Sequence, residues 1–272
     1  MMGSGSGIMI WASQIVVGQS GAPRSRSVGL RRAVFAIAML TGGGASATEA
    51  CLDLPDLATA GALTTALVRQ GVAKTHFYKG APTDKASACP GFSDKCWEKA
   101  FVVAGDRVIV SGSVGDFVCA HFVAPRKRGK ETFQEIVRSG WLTSADLAPE
   151  PPAKPPVWTG DWRRVEANIA IKAGARPGML AIRGDATFGS MDPDRVKRGA
   201  VNVGEISGEV APVDGGLSFA MGDEGAVPVT KAAETDCKVW MRRVGSWLLV
   251  DDNRQCGGAN VSFSGLYSLQ GK

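Results

Sequence analysis

The chain has 272 residues, is 44% apolar and carries a formal charge of +5, which is enough for one large core or two modest ones, with two domains the better prior. The charge does not make a nucleic-acid footprint. Arg24, Arg26, Arg31 and Arg32 all precede Ala47, where no acidic residue occurs, and without them 27 basic residues face 26 acidic ones. With only His76 and His121 as imidazoles, a His-rich metal centre is disfavoured and a Ser-His-Asp triad has few options.

Residues 1–27 are rich in Gly, Ser and small apolar residues and fit no packed element. A leader starting near Val28 would be complete without them. Arg31-Arg32, the apolar run Ala33 to Leu40 and the Ala45-Ser46-Ala47 site read as a secretory signal over residues 1–47, removed so that the mature chain begins near Thr48. The apolar run is far below the ~20 residues of a membrane-spanning helix. All six cysteines follow the signal, an even number, so bridges in an oxidising compartment are expected.

From Leu52 to Gly71 the sequence is Ala- and Leu-rich, with Leu63, Ala66 and Leu67 at helical spacing; a short helix or an extended lead-in is expected. Thr75 to Tyr78 reads as a strand, Cys89-Pro90 through Cys96 as a loop, and Phe101-Val102-Val103 leads into Gly105-Asp106. Strands at Val108 to Val110 and Phe117 to Ala120 and the Ser139-Gly140-Trp141-Leu142 stretch follow, with Arg126-Lys127-Arg128-Gly129-Lys130 as a solvated loop tip between them.

The succession Gly105, Asp106, Val108, Val110, Phe117, Gly140, Trp141 resembles the bacterial SH3-like family over about residues 74–149. That resemblance implies a small barrel making wall or protein contacts. Two departures are visible: the Asn-Val-Arg opening is absent, and an insertion carrying Cys89 and Cys96 occupies the first long loop.

Five prolines in the nine residues 148–156 make a stiff spacer, so the expected division is 48–148, a linker at 149–157, and 158–272. Beyond it, Ala167 to Lys172 alternates, Met179 to Ile182 follows, and a loop spans Ser190 to Arg198. Val201 to Val213 reads as a long strand paired through Asp214-Gly215-Gly216 to Leu217–Met221. Lys238 to Arg243 and Trp247 to Asp251 read as a hairpin about Gly245-Ser246, with Val244 facing Trp247, and Val261 to Gly265 as a third strand. The expected fold class is all-β, an SH3-like small barrel followed by an antiparallel, roughly eight-stranded up-and-down β-barrel, because closure removes unpaired edges.

Gly160 and Trp162 form a Gly-x-Trp that resembles the opening of lipocalin-type barrels, where a Trp plugs the base. The block Asp252 to Tyr267 is similar to the tails of small exported proteobacterial proteins, and periplasmic barrels that inhibit lysozymes are the nearest functional analogues; no functional residue carries over.

The hairpin register brings Cys237 to within two residues of Cys256's partner position, which makes a bridge natural. Cys89 with Cys96 and Cys51 with Cys119 is the preferred pairing of the other four, the alternatives staying open. Trp158, Trp162, Trp240 and Trp247 either line a ligand cavity or fill a core. Glu205 and Glu209 share a strand face, but Cα atoms about 13 Å apart fit poorly with the ~5 to 9.5 Å of glycoside hydrolysis, so exposed or hairpin-paired carboxylates are preferred. Asp251-Asp252-Asn253 reads as a turn rather than a calcium loop, and Asn260-Val261-Ser262 carries no weight as a glycosylation site. His76 and His121 read as structural.

No nucleophile with a base, no cofactor loop and no metal spacing stands out, so no catalytic residue, cofactor or metal ligand is assigned. The expectation is an exported, non-enzymatic binding protein of the bacterial cell envelope, periplasmic or secreted. Its expected partner is peptidoglycan or an envelope protein such as a lysozyme, with no nucleic acid and no integral membrane segment in the mature chain. The alternatives are an envelope hydrolase acting on peptidoglycan through His76 or His121, and a structural assembly module.

Overall fold

The structure is a computed structural model that describes residues 51–80, 88–151, 157–222 and 225–271. The expected leader, 1–47, and most of the Pro-rich spacer, residues 152–156, lie outside the described residues. The fold is all-β: a seven-stranded half-barrel sheet and a nine-stranded, nearly closed antiparallel barrel.

The lead-in is turns followed by a strand, β1 (Thr64–Val68), and not a helix. The β-branched Thr64, Thr65 and Val68 are stiff at χ1 and favour extended backbone. Ala66 and Val68 then face the core at the strand period of two. The helical spacing of Leu63, Ala66 and Leu67 lost because β1 pairs on both sides in the first sheet.

That sheet also holds β2 (Thr75–Tyr78), β3 (Trp97–Val102), β4 (Arg107–Val114), β5 (Phe117–Arg128), β6 (Glu131–Thr143) and β7 (Leu147–Pro149), in the order β3-β2-β6-β5-β4-β1-β7. Gly105-Asp106 makes the turn into β4: Gly105 has φ +87°, open to glycine at little cost, and the Asp106 carboxylate accepts from the Val103 amide at 2.8 Å. Gly140 is small because Phe77 packs where its side chain would be, 2.9 Å from an added Cβ. Trp141 beside it is buried with Tyr78, Phe117 and three cysteines. The basic run Arg126 to Lys130 sits at the exposed tip of the long β5–β6 hairpin.

The barrel comprises β8 (Gly160–Arg164), β9 (Ala167–Ala173), β10 (Leu180–Phe188), β11 (Asn202–Val210), β12 (Gly216–Gly222), β13 (Gly225–Val227), β14 (Lys238–Val244), β15 (Trp247–Asp252) and β16 (Gly265–Leu269). A five-residue helix, α1 (Pro193–Lys197), interrupts the loop expected over 190–198. Asp192 caps it by accepting from the amides of Asp194 and Arg195, and Pro193 opens it. The strand order is β11-β10-β9-β8-β16-β15-β14-β12-β13. The chain therefore goes up and down, with the last strand, β16, pairing with the first, β8, as closure requires; the exception is β13, which lies on the outer side of β12 so that β14 pairs with β12 instead.

Two expected pairings differ. The third strand of the terminal block begins at Gly265, later than expected, because Ser262 to Ser264 are held by side-chain bonds to Asp252 instead of a ladder. The long strand ends at Val210, and β11 and β12 do not form a hairpin ladder; a single bridge joins Val213 to Gly216. Across this seam Gly208 lets the Phe219 ring approach, 2.9 Å from an added Cβ, with Ala226 beside it. Side-chain packing, not backbone pairing, closes the barrel there.

Inside the barrel, Trp162, Ile169, Ile171, Ile182, Ile206, Phe219, Met241 and Phe263 form a continuous core. A second apolar layer joins the sheets: Leu57 of the lead-in and Ile109 and Val123 of the first sheet pack with Val244, Trp247, Leu249 and Leu266 of the barrel. An ion pair from Arg163 to Glu131, 2.7 Å, crosses at its rim.

Three disulfides are present, Cys51–Cys119, Cys89–Cys96 and Cys237–Cys256, the same pairs the sequence favoured. The hairpin register has Val244 opposite Trp247 and Val239 opposite Asp252, which leaves Cys237 within reach of Cys256. Among the described residues, no helix is long and apolar enough to cross a membrane.

Candidate functional site

The four tryptophans divide between core and cleft. Trp162 is 1% exposed in the middle of β8, and its indole N–H donates to the Trp158 carbonyl at 2.9 Å. The Arg243 guanidinium lies 4.1 Å above the Trp162 ring, with Nε and Nη1 buried and unbonded. Burial lowers its pKa to about 10. A cation over the ring face recovers part of the lost hydration. Trp158 and Trp162 thus fill the barrel core, and Trp247 fills the layer between the sheets. Trp240 is half-buried and borders open space.

That space is a cleft of about 760 Å³ running along the N-terminal half of β12 beside the seam. Its walls are largely apolar, including Leu57, Met179, Val213, Leu217, Val227 and Trp240. Three charged groups, Arg176, Glu209 and Arg242, border it. Two of these are oriented by backbone: Arg242 donates to the Ala60 carbonyl at 3.2 Å, and Glu209 accepts from the Ala175 amide at 3.0 Å. The cleft exists because the chain leaves β11 at Val210 instead of pairing on to β12, so the end of the seam stays open. Such a concave, mostly apolar surface with a few fixed polar groups suits a ligand with an apolar body and a charged or hydrogen-bonding end.

A second, smaller cleft of about 430 Å³ lies where β6 meets the barrel, bordered by Asp53, Arg138, Ser139 and Arg164. Behind it His121 is 1% exposed, with Nδ1 2.8 Å from Ser139 Oγ and Nε2 2.8 Å from Ser111 Oγ. A neutral imidazole satisfies both hydroxyls, as donor to one and acceptor from the other. Burial lowers the His121 pKa to about 4, against a smaller opposing pull from Asp53. His76 is elsewhere, on β2, with Nδ1 2.9 Å from the Glu98 carbonyl and its ring stacked on Trp97 at 5.2 Å.

The acidic candidates separate. Glu205 is exposed on β11, while Glu209 faces the Ala175 amide. Asp252, read from sequence as a turn residue, is 7% exposed and binds the 262–264 segment. It accepts from Ser262 Oγ at 2.8 Å, the Ser264 amide at 3.0 Å and the Phe263 amide. Asp251 accepts from Ser264 Oγ at 2.9 Å and from the Leu57 amide at 3.3 Å, tying the block to the lead-in. Asn253 accepts from the Lys238 amide at 2.9 Å. Among the described residues, no three His, Cys, Asp or Glu side chains are grouped to hold a metal ion.

The cleft residues Leu217, Val213, Arg176 and Arg242 were not singled out by sequence. The available signal was the Ala211-Pro212-Val213 stretch: a proline cannot continue a paired strand, so β11 had to end before it. Comparison with known proteins adds no relative: no protein-family model, no curated protein and no solved structure matches this chain.

Proposed function

We propose that this is an exported, non-enzymatic binding protein of the bacterial cell envelope whose barrel takes its ligand in the cleft along β12. The observation that carries this reading is the 760 Å³ apolar cleft at an unpaired barrel seam, with Trp240 on its wall and two guanidinium groups at its border. The three disulfides support a periplasmic or secreted location, since such bridges persist in oxidising compartments. The first sheet, with its SH3-like resemblance, serves wall or protein contacts. The expected cleft partner is an apolar group of peptidoglycan or of an envelope-acting protein such as a lysozyme.

The test incubates the protein with purified peptidoglycan and with lysozyme, and measures sedimented protein, released muropeptides and residual lysozyme activity. Binding without muropeptide release, weakened at least tenfold by Trp240→Ala or by Val213→Asp in the exposed lip of the cleft, supports the reading. Val213 is 69% exposed, so its replacement tests contact and not folding.

One observation favours the rival hydrolase: Ser139 borders the smaller cleft and bonds a buried neutral histidine. Release of muropeptides that is lost in folded Ser139→Ala protein would establish it. Absence of binding to either partner would remove the cleft reading for these ligands.

A further inference from the structure

Sheet edges are where a β protein is most exposed to strand addition, and natural proteins cover or charge them. The β11 edge is covered by packing of Gly208 on Phe219 and by a bond from the Gly258 amide to the Val203 carbonyl. β7 is three residues long and ends at Pro149. The outer edge of β3 is different. Among the described residues no strand pairs with it, and it is six residues long.

Its solvent face is aromatic. Trp97 is 45% exposed, Phe101 47% and Phe92, just before the strand, 61%; these are the only aromatic side chains among the exposed large hydrophobics of the described chain. The inner face, Ala100 and Val102, packs into the core, so the alternation points the rings outward by design of the register and not through disorder. Nor are the rings loose. His76, across the ladder on β2, stacks on Trp97 at 5.2 Å and 8° and meets Phe101 at 5.7 Å. Tyr78 meets Trp97 and Phe92 edge-on at 6.2 and 6.3 Å. The Cys89–Cys96 bridge fixes the loop that carries Phe92.

The surrounding charge is predominantly positive. Between residues 74 and 103 the exposed charged side chains described are Lys74, Lys79, Lys95 and Lys99 against Asp94. Glu98 is half-buried and paired with Arg138, and Lys74 Nζ lies 4.9 Å over the Phe101 ring. A glycan needs open ring faces to stack on, whereas here one Trp97 face is occupied by His76 and Phe101 carries Lys74. What remains is a backbone edge that no described strand pairs, an apolar ridge and excess positive charge.

We propose that the outer edge of β3 docks an extended, acidic segment of a partner protein, which adds to the sheet as a strand and packs apolar side chains against Phe92, Trp97 and Phe101. Main-chain bonds supply the pairing, the fixed rings supply cross-strand contacts, and the lysines select against basic segments. This site is separate from the barrel cleft and goes beyond the function proposed for it.

The experiment uses the full chain after export and a labelled, end-blocked ten-residue peptide alternating Glu with Val and Phe. Fluorescence anisotropy measures binding and hydrogen exchange maps it. The expected result is saturable binding with slowed amide exchange along residues 97–103. Affinity should fall at least tenfold on Phe101→Glu and on Lys99→Glu, in protein whose circular dichroism is unchanged. Phe101→Ser serves if the Glu variant does not fold. A peptide N-methylated at alternate backbone nitrogens should not bind, and a peptide with Lys in place of Glu should bind at least tenfold more weakly.

No saturable binding, equal binding of the N-methylated or Lys peptide, or protection confined to β12 would overturn the proposal; the last would leave the cleft reading standing. Sedimentation as a dimer that Phe101→Glu dissociates would assign the edge to a second copy of this chain instead. Peptidoglycan pelleting abolished by the same change would assign it to glycan.

Discussion

At the scale of single residues, two buried side chains carry the sharpest expectations, His121 for pH and Asp252 for mutation. His121 is held neutral between two serines, with its folded pKa lowered to about 4. In the unfolded chain a histidine titrates near 6.5, so between those values the unfolded state binds the proton and the folded state does not. Stability is therefore full above about pH 6.5, falls as pH drops towards 4, and levels off below it. The lowered pKa corresponds to about 3 kcal/mol across that window. Urea unfolding at pH 7 and pH 4 should show the loss, and folded His121→Gln protein should lack this component.

Asp252 acts as a fixed acceptor. Replacing it by Ala removes the acceptor of the Phe263 and Arg254 amides and of Ser262 Oγ, and leaves the Ser264 amide only its bond to Ser262 Oγ, at an expected cost of about 3 kcal/mol. Asp252→Asn should restore part of this, because the three bonds converge on Oδ2, which the Asn carbonyl can replace, while its NH2 would face the Arg254 amide that now donates to Oδ1. Thermal unfolding of the two variants distinguishes these outcomes.

Among the elements, the β14–β15 hairpin and its bridge are the part most open to sequence reasoning. Gly245 has φ +56° in the two-residue turn, and alternation then sets every cross-strand pair from Val244–Trp247 to Val239–Asp252. Cys237–Cys256 closes this unit with a sequence separation of 19. A Cys237→Ala/Cys256→Ala protein is expected to lose about 3 kcal/mol in the chain-entropy account. Denaturant unfolding measures it, and an unchanged midpoint would mean that the Asp252 bonds alone hold the block. The lead-in element was less legible: Leu63, Ala66 and Leu67 fit a helix locally, and only the two neighbouring strands that accept β1 make the extended form the better choice.

For the whole molecule, each sheet has its own interior and its own bridges, yet Leu57, Ile109 and Val123 share an apolar layer with Val244, Trp247 and Leu266. Expressed separately, residues 48–148 and 158–272 are each expected to fold and then to associate through this layer. Co-elution of the mixed halves on size exclusion, lost on Trp247→Glu, is the measurement. Two unfolded halves would mean that neither interior suffices alone.

The sequence by itself determined the all-β class, the strands with clean alternation, the turns at Gly105-Asp106 and Gly245-Ser246, and the Cys237–Cys256 bridge. These rest on short-range rules: period two, glycine in left-handed turns, and closure of local loops. The other four cysteines had a preferred pairing with the alternatives left open, and the fold decided it. Tertiary structure alone decided the seam beside β11, the placement of β13 outside β12, and the division of the tryptophans between core and cleft. It likewise decided that Asp252 is a buried clamp and that Trp97 and Phe101 stand on the terminal strand of the first sheet among the described residues. Those outcomes depend on which distant strand becomes a neighbour. A residue's own segment shows which face it shares, but not whether another strand, a second sheet or water lies against that face.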